Sequence, residues 1–322
     1  MMLNSKKTLF SILFFLISST FLFLYPSEND FQSIKIKEVL SIGDLEDDKL
    51  YQWVGVITDS KHNIFVTDNM DYSLKKFDDQ GNLLKKTGRK GEGPGEFLAP
   101  RYLGHSELFV YVSDQYRPSL QVFDDNLNYK RSIKIQMPIS DFKIISDDDI
   151  AISTLSYESI GKIFVFNSKG ELKYELIYSH IKAPYGMNRV QFEIDAQGYY
   201  YVAYSFKDTV AKFNPEGKNL WSKKILGIKE VKREKIGPIK LPTKMVYKDI
   251  ELDSSGNIYV LGGSFSEHKS RDVYVLNPEG KLLTTITLPD SSHCIHIGRD
   301  DFLYSRANEG VTLKKYKLEK IF

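Results

Sequence analysis

Beyond residue 30 the chain is a succession of short runs of β-branched and aromatic residues bounded by Asn, Asp and Gly, as in Ile64-Phe65-Val66 and Ser73-Leu74-Lys75-Lys76-Phe77. That pattern predicts short strands joined by tight turns. No stretch after residue 30 carries a convincing helical apolar period, so the expected class is all-β.

The runs repeat. An aromatic or aliphatic residue followed by Asp or Asn and then a Gly-containing turn recurs at Phe77-Asp78, Phe123-Asp124, Phe166-Asn167, Phe213-Asn214 and Leu276-Asn277, with Tyr316-Lys317 as a degenerate sixth copy. Successive copies stand 46, 43, 47, 63 and 40 residues apart, which singles out 227–246 as an insertion. Four short strands per repeat of roughly 40 to 47 residues predict the blades of a propeller. Only six residues follow Tyr316, so the last blade has three strands of its own, at 294–297, 302–305 and 311–318. Its fourth is expected at the other end of the folded part. Residues 33–40 alternate apolar and polar positions, precede the first full blade and have no partner in it. As the outer strand of blade six they would pin the ring shut and remove an exposed sheet edge. The fold expected is a six-bladed β-propeller over 31–322.

The segment from Gly88 to Pro100, "GRKGEGPGEFLAP", followed by "LFVYVSDQYRPSLQVFD", resembles the NHL-repeat six-bladed β-propellers of the exported bacterial type. The resemblance covers nearly everything after residue 33, although blades three and six have lost the Asp that follows the second strand. It implies the propeller strongly and the activity hardly at all, because such propellers include lyases, ligand sensors and protein or RNA binders.

The first 30 residues are set apart. Lys6-Lys7 precede an uncharged run, 8–25, which at about 1.5 Å per residue comes close to the roughly 30 Å hydrocarbon core. Two lysines on its amino side put that side in the cytoplasm and the propeller outside. Both an uncleaved anchor and a cleaved signal peptide fit the run. The expected location is the cell envelope, membrane-tethered through 8–25 or released.

Charge is nearly balanced, 44 basic against 42 acidic residues, which weakens a nucleic-acid reading. The abundant Tyr and Phe are expected mainly to fill the gaps between blades. Cys294 is the only cysteine, so no intrachain disulfide forms, and its apolar surroundings suit a small buried hydrophobe. The six histidines are scattered without metal-ligand spacing. Asp147-Asp148-Asp149 lacks the Gly and distal Glu of a calcium loop, and 88–95 lacks the GK[ST] of a phosphate loop. No metal or cofactor is implied by spacing, although the resembled family includes enzymes that hold a metal in the central channel. Asp68 and Asp114, each ending a second strand, are expected to accept hydrogen bonds from the following loop.

What remains is a face. In such a ring the loops from strand two to three and from strand four to the next blade emerge at one end, placing Arg101, Tyr116, Arg117, Tyr157, Tyr185, Arg189, Lys244 and Arg271 there, with the insertion. Guanidinium forks beside aromatic faces suit carboxylate-bearing partners, acidic sugars or peptide termini. The function expected is a monomeric binding module for an envelope protein, peptide or glycan. The alternatives are a lyase or lactonase working in the channel, for which the sequence names no catalytic residue, and a structural part of an envelope complex.

Overall fold

The computed structural model describes residues 31–47, 49–154, 160–179 and 186–322. They form six four-stranded antiparallel sheets in a ring. Five blades are consecutive in sequence, at 53–87, 100–134, 141–179, 190–223 and 247–287. The sixth combines Ile295–Ile297, Leu303–Ala307 and Thr312–Ile321 with the amino-terminal strand Ser33–Ile42, which pairs antiparallel with Thr312–Ile321 as its outermost member. Helical structure among the described residues is one 3-10 turn, Asn308–Gly310. The run 8–25 lies outside the described residues, and among the described residues no helix is long and apolar enough to cross a membrane.

Every outer hairpin is built on the anchor seen in the sequence. In blade one the Asp78 Oδ1 accepts the backbone N–H of Gln80 and Asn82, and Gly81 takes φ +82, the left-handed region that only glycine enters at no cost. One residue is thereby added to one strand, and the register shifts at the anchor itself: Phe77, Phe123, Phe166, Phe213 and Leu276 all sit at such bulges. The extra residue lies on the fourth strand, at Leu84 in blade one, while the anchor on the third strand stays buried between blades.

The closing strand departs from the simple alternation expected of it. Val39 is unpaired between Glu38, opposite Tyr316, and Leu40, opposite Lys315. This bulge reverses which face even-numbered positions take. Ile34 and Ile36 therefore pack with Tyr259 and Tyr316 toward blade five. Leu40 and Ile42 pack with Trp53 and Leu313 toward blade one. One ten-residue strand thus fills the gaps on both sides of its blade, and Lys35, Lys37 and Glu38 stay exposed where a charged edge discourages further pairing.

Asp68 and Asp114 are structural, but their main donors precede them. Asp68 accepts Tyr51 N and Gln52 N and holds the buried Lys75 ammonium at 2.9 Å. Asp114 accepts Leu98 N and Ala99 N. Each carboxylate therefore clamps the segment entering its blade, with Asp71 N or Tyr116 N added from the following loop.

Candidate functional site

The first strand of each blade lines the central channel and is the free edge of its sheet, so its inward N–H groups need acceptors. Side chains from the neighbouring inner strand supply several of them. Asp141 accepts Phe192 N, Asp249 accepts Ile295 N at 2.9 Å, and Glu251 accepts Ile297 N. These carboxyls surround one ammonium, with Lys143 Nζ 2.6 Å from Glu193 and 3.6 Å from Glu251. His296 completes the group, its Nδ1 3.1 Å from Glu251 and its Nε2 3.1 Å from the Thr58 hydroxyl.

The electrostatics follow from four acids sharing few bases in a buried place. Burial pushes Asp141 up to about 6 and Glu193 up to about 7, with Lys143 opposing in both. Burial and then Glu251 raise Asp249 well above the usual carboxylate range. Burial acts the same way on Glu251, but Lys143 and His296 outweigh it and hold that carboxyl low. For Lys143, burial would favour the neutral amine, and Glu193 and Glu251 outweigh it. This acid and base cluster is not visible along the chain, because its members come from the inner strands of four blades between residues 141 and 296. Among the described residues no three His, Cys, Asp or Glu side chains converge to hold a metal.

The cluster is the waist of a channel that widens at both ends. Toward the loop face opens a cavity of about 390 Å3, and toward the opposite face one of about 890 Å3; Lys143 and Glu251 border both. The loop-face cavity is a basic mouth. Bulges in the inner strands of blades one, two and five fall at Val54, at Arg101 and Tyr102, and at Lys248, and all four residues line it. Arg101 donates to the Gln115 amide at 3.2 Å and lies 5.0 Å over the Tyr102 ring. Lys248 Nζ donates to Ser292 O and lies 3.1 Å from His293 Nδ1. Arg306 donates to the Glu309 carbonyl. Burial, followed by Lys248, Arg306 and Arg101, holds the His293 imidazole down to about 4. Burial likewise lowers Lys248 and Arg306.

Of the loop-face residues expected from the sequence, Arg101 and Arg189 line this mouth. Tyr116 is 69 % exposed on the rim. Arg117 donates to the Gly91 carbonyl of the crossover loop, and Arg271 Nε to Leu288 O at 2.7 Å, so both brace loops. Lys244 is exposed, and only its neighbour Met245 reaches the cavity wall. Tyr157 and Tyr185 lie outside the described residues. Cys294 also borders the cavity; its thiol lies 3.5 Å from Val54 O, and burial pushes its pKa up, which leaves it a poor nucleophile.

The insertion is a hairpin, Arg233–Ile236 paired with Ile239–Pro242. Its base is fixed by Asp208, whose carboxylate accepts the N–H groups of Ile225, Leu226 and Ile228, and by the buried Val231. Arg233–Ile236 is exposed throughout.

Residues 30–103 match the family DUF5128, described as a 6-bladed beta-propeller. None of the curated proteins compared matches the sequence. Among solved structures, a member of the duf4221 family from Bacteroides vulgatus is similar at a TM-score of 0.62 and 13% identity, covering 90% of this chain and 99% of that one. Kuenenia stuttgartiensis hydrazine synthase is similar at a TM-score of 0.53 and 12% identity, covering 86% of this chain and 98% of that one. At such identities the likeness is one of fold.

Proposed function

We propose that this protein is an exported or membrane-tethered propeller that acts as a binding module, taking a protein, peptide or glycan ligand at its loop face. One observation carries this: the channel opens on that face into a cavity where Asp141, Asp249 and Glu251 lie at the floor accepting inner-strand N–H groups, while the cations nearer the mouth are held by neutral partners. Arg101, Lys248 and Arg306 direct their hydrogen bonds to an amide, an imidazole and carbonyls, and Arg189 Nε has no partner. Desolvated cations left in this state are costly unless a ligand completes them. The run 8–25 supports export, and the element at 88–100 supports kinship with NHL-repeat propellers. The enzyme alternative draws on the Lys143, Glu251 and His296 cluster, but Glu251, like Asp141 and Asp249, is already engaged in accepting inner-strand N–H groups.

The test is capture from envelope extract by the tagged protein, quantified for the parent, for Arg101→Ala/Arg189→Ala, and for Lys212→Ala/Arg299→Ala at the opposite mouth. Loss of a ligand only in the first variant is expected. Equal retention by all three proteins, or loss only in the opposite-mouth variant, would remove the loop face from consideration.

A further inference from the structure

A repeat fold contains its own controls. The second-strand residue that faces the first apolar residue of the third strand is Thr67 in blade one, Ser113 in blade two, Ser153 in blade three, Ala203 in blade four and Leu261 in blade five. In blade six the equivalent residue, opposite Leu313, is Arg306. The short hydroxyls stay local, with Thr67 Oγ1 donating to Arg101 O at 2.6 Å and Ser153 Oγ lying 3.5 Å from Val190 O. Arginine at this position lies against Gly310, donates to the Glu309 carbonyl and borders the mouth cavity.

Arg306 is only 7 % exposed, and its Nε has no partner. Gln191, 5 % exposed and lining the same cavity, has an unpartnered Oε1. Lys248 has given two of its three N–H bonds, to Ser292 O and His293 Nδ1, and has one left. The cavity therefore holds unused cationic donors and one unused buried acceptor. An anion alone would satisfy the first and leave the second orphaned. A group carrying both a carboxylate and a hydroxyl satisfies both. The rim amides of Gln52, Asn69 and Gln115 each pair a donor with an acceptor, which matches neighbouring hydroxyls.

We infer that the loop-face mouth is a subsite for an acidic sugar, with the carboxylate of a uronic acid on Arg306 and Lys248 and a ring hydroxyl donating to Gln191 Oε1. This rests on the loop-face binding proposed above and names the ligand class. Planar carboxylates match a guanidinium fork in two parallel hydrogen bonds, and the neutral His293 beside Lys248 leaves room for a net negative guest.

The experiment is calorimetric titration of the full-length protein with trigalacturonate, alongside maltotriose, acetate, inorganic phosphate and an amino-blocked dialanine peptide. Trigalacturonate is expected to bind at least about tenfold more tightly than each of the others. R306Q and K248Q should each weaken it by about tenfold or more, and Q191L should cut its advantage over acetate. The His293 imidazole should titrate higher with ligand bound, because a bound carboxylate offsets the cations that depress it. Unfolding midpoints of the variants separate lost binding from lost fold, and Q191L keeps the test open if R306Q does not fold. Phosphate or the peptide binding as tightly as trigalacturonate, binding unaffected by R306Q, K248Q and Q191L, or no trigalacturonate binding would each overturn the inference. If ligand capture still depends on Arg101 and Arg189 in that event, the loop face remains a binding surface for another chemistry; if capture is also indifferent, both proposals fall.

Discussion

Deleting Val39 tests the logic of ring closure. Val39 is 47 % exposed and unpaired, so its removal forfeits little contact. Its role is geometric, since it sets which way the two halves of the closing strand face. Without it the strand must run in a single register, and one pair of apolar residues turns outward. Losing the blade-one half exposes Ile42, which is fully buried, and the partly buried Leu40; losing the other exposes Ile34 and Ile36. Burying one such side chain contributes about 1.5–3 kcal/mol, and a partly buried one less, so the deletion should cost about 3–5 kcal/mol. That is a large share of a typical stability of about 5–15 kcal/mol. Val39→Ala, which keeps the bulge, should cost no more than about 1 kcal/mol. Denaturant unfolding followed by tryptophan fluorescence reads this directly, because Trp53 packs against Ile42 and its Nε1 donates to Thr312 O at 2.9 Å. A deletion variant that unfolds at the midpoint of Val39→Ala would refute the two-faced strand.

Two further outcomes are expected. Gly280→Ala should cost about 1–2 kcal/mol in thermal unfolding, because φ is +77 and a Cβ would meet Trp221 and Lys223 at 3.0 Å; an unchanged melting temperature would show that this hairpin relaxes freely. Glu193→Gln should flatten the pH dependence of stability. The folded protein raises the Glu193 carboxyl to about 7, so the contribution of its protonated form is complete below the unfolded value near 4.5 and is lost as pH rises through about 7. The parent should therefore lose on the order of 2 kcal/mol relative to the variant between those limits, and superimposable profiles would refute the assignment.

The parts of the molecule legible in the sequence are those encoded locally. The Phe-Asp and Phe-Asn anchors mark the outer hairpins because one carboxylate or amide and one left-handed residue suffice to build each turn. The closing strand was legible because residues 33–40 had the right alternation and no partner nearby; the Val39 bulge was not, since it shows only against the register of Thr312–Ile321. Counting loops singles out Arg101 and Arg189, and both border the mouth cavity. Arg117 and Arg271 came from the same count, but carbonyls of Gly91 and Leu288 hold them. The waist cluster is not legible along the chain, because Asp141, Glu193, Asp249, Glu251 and His296 meet only when neighbouring blades pack around the channel. Arg306 left a readable trace: aligned with Thr67, Ser113 and Ser153, it is the one charged residue at that blade position.

The clasp between Ser33–Ile42 and Thr312–Ile321 joins nearly the first folded residues to the last, with 269 residues between Ile42 and Thr312. At about 5–20 residues per second, a ribosome delivers the second half of the clasp roughly 14 to 54 s after the first. Throughout that interval Ile34, Ile36, Leu40 and Ile42 have no blade to enter, and the five finished blades form an open arc with a bare flank at each end. Vectorial synthesis can therefore complete five-sixths of this protein without completing its fold. The nascent chain is most exposed to strand swapping and aggregation just before its final residues emerge.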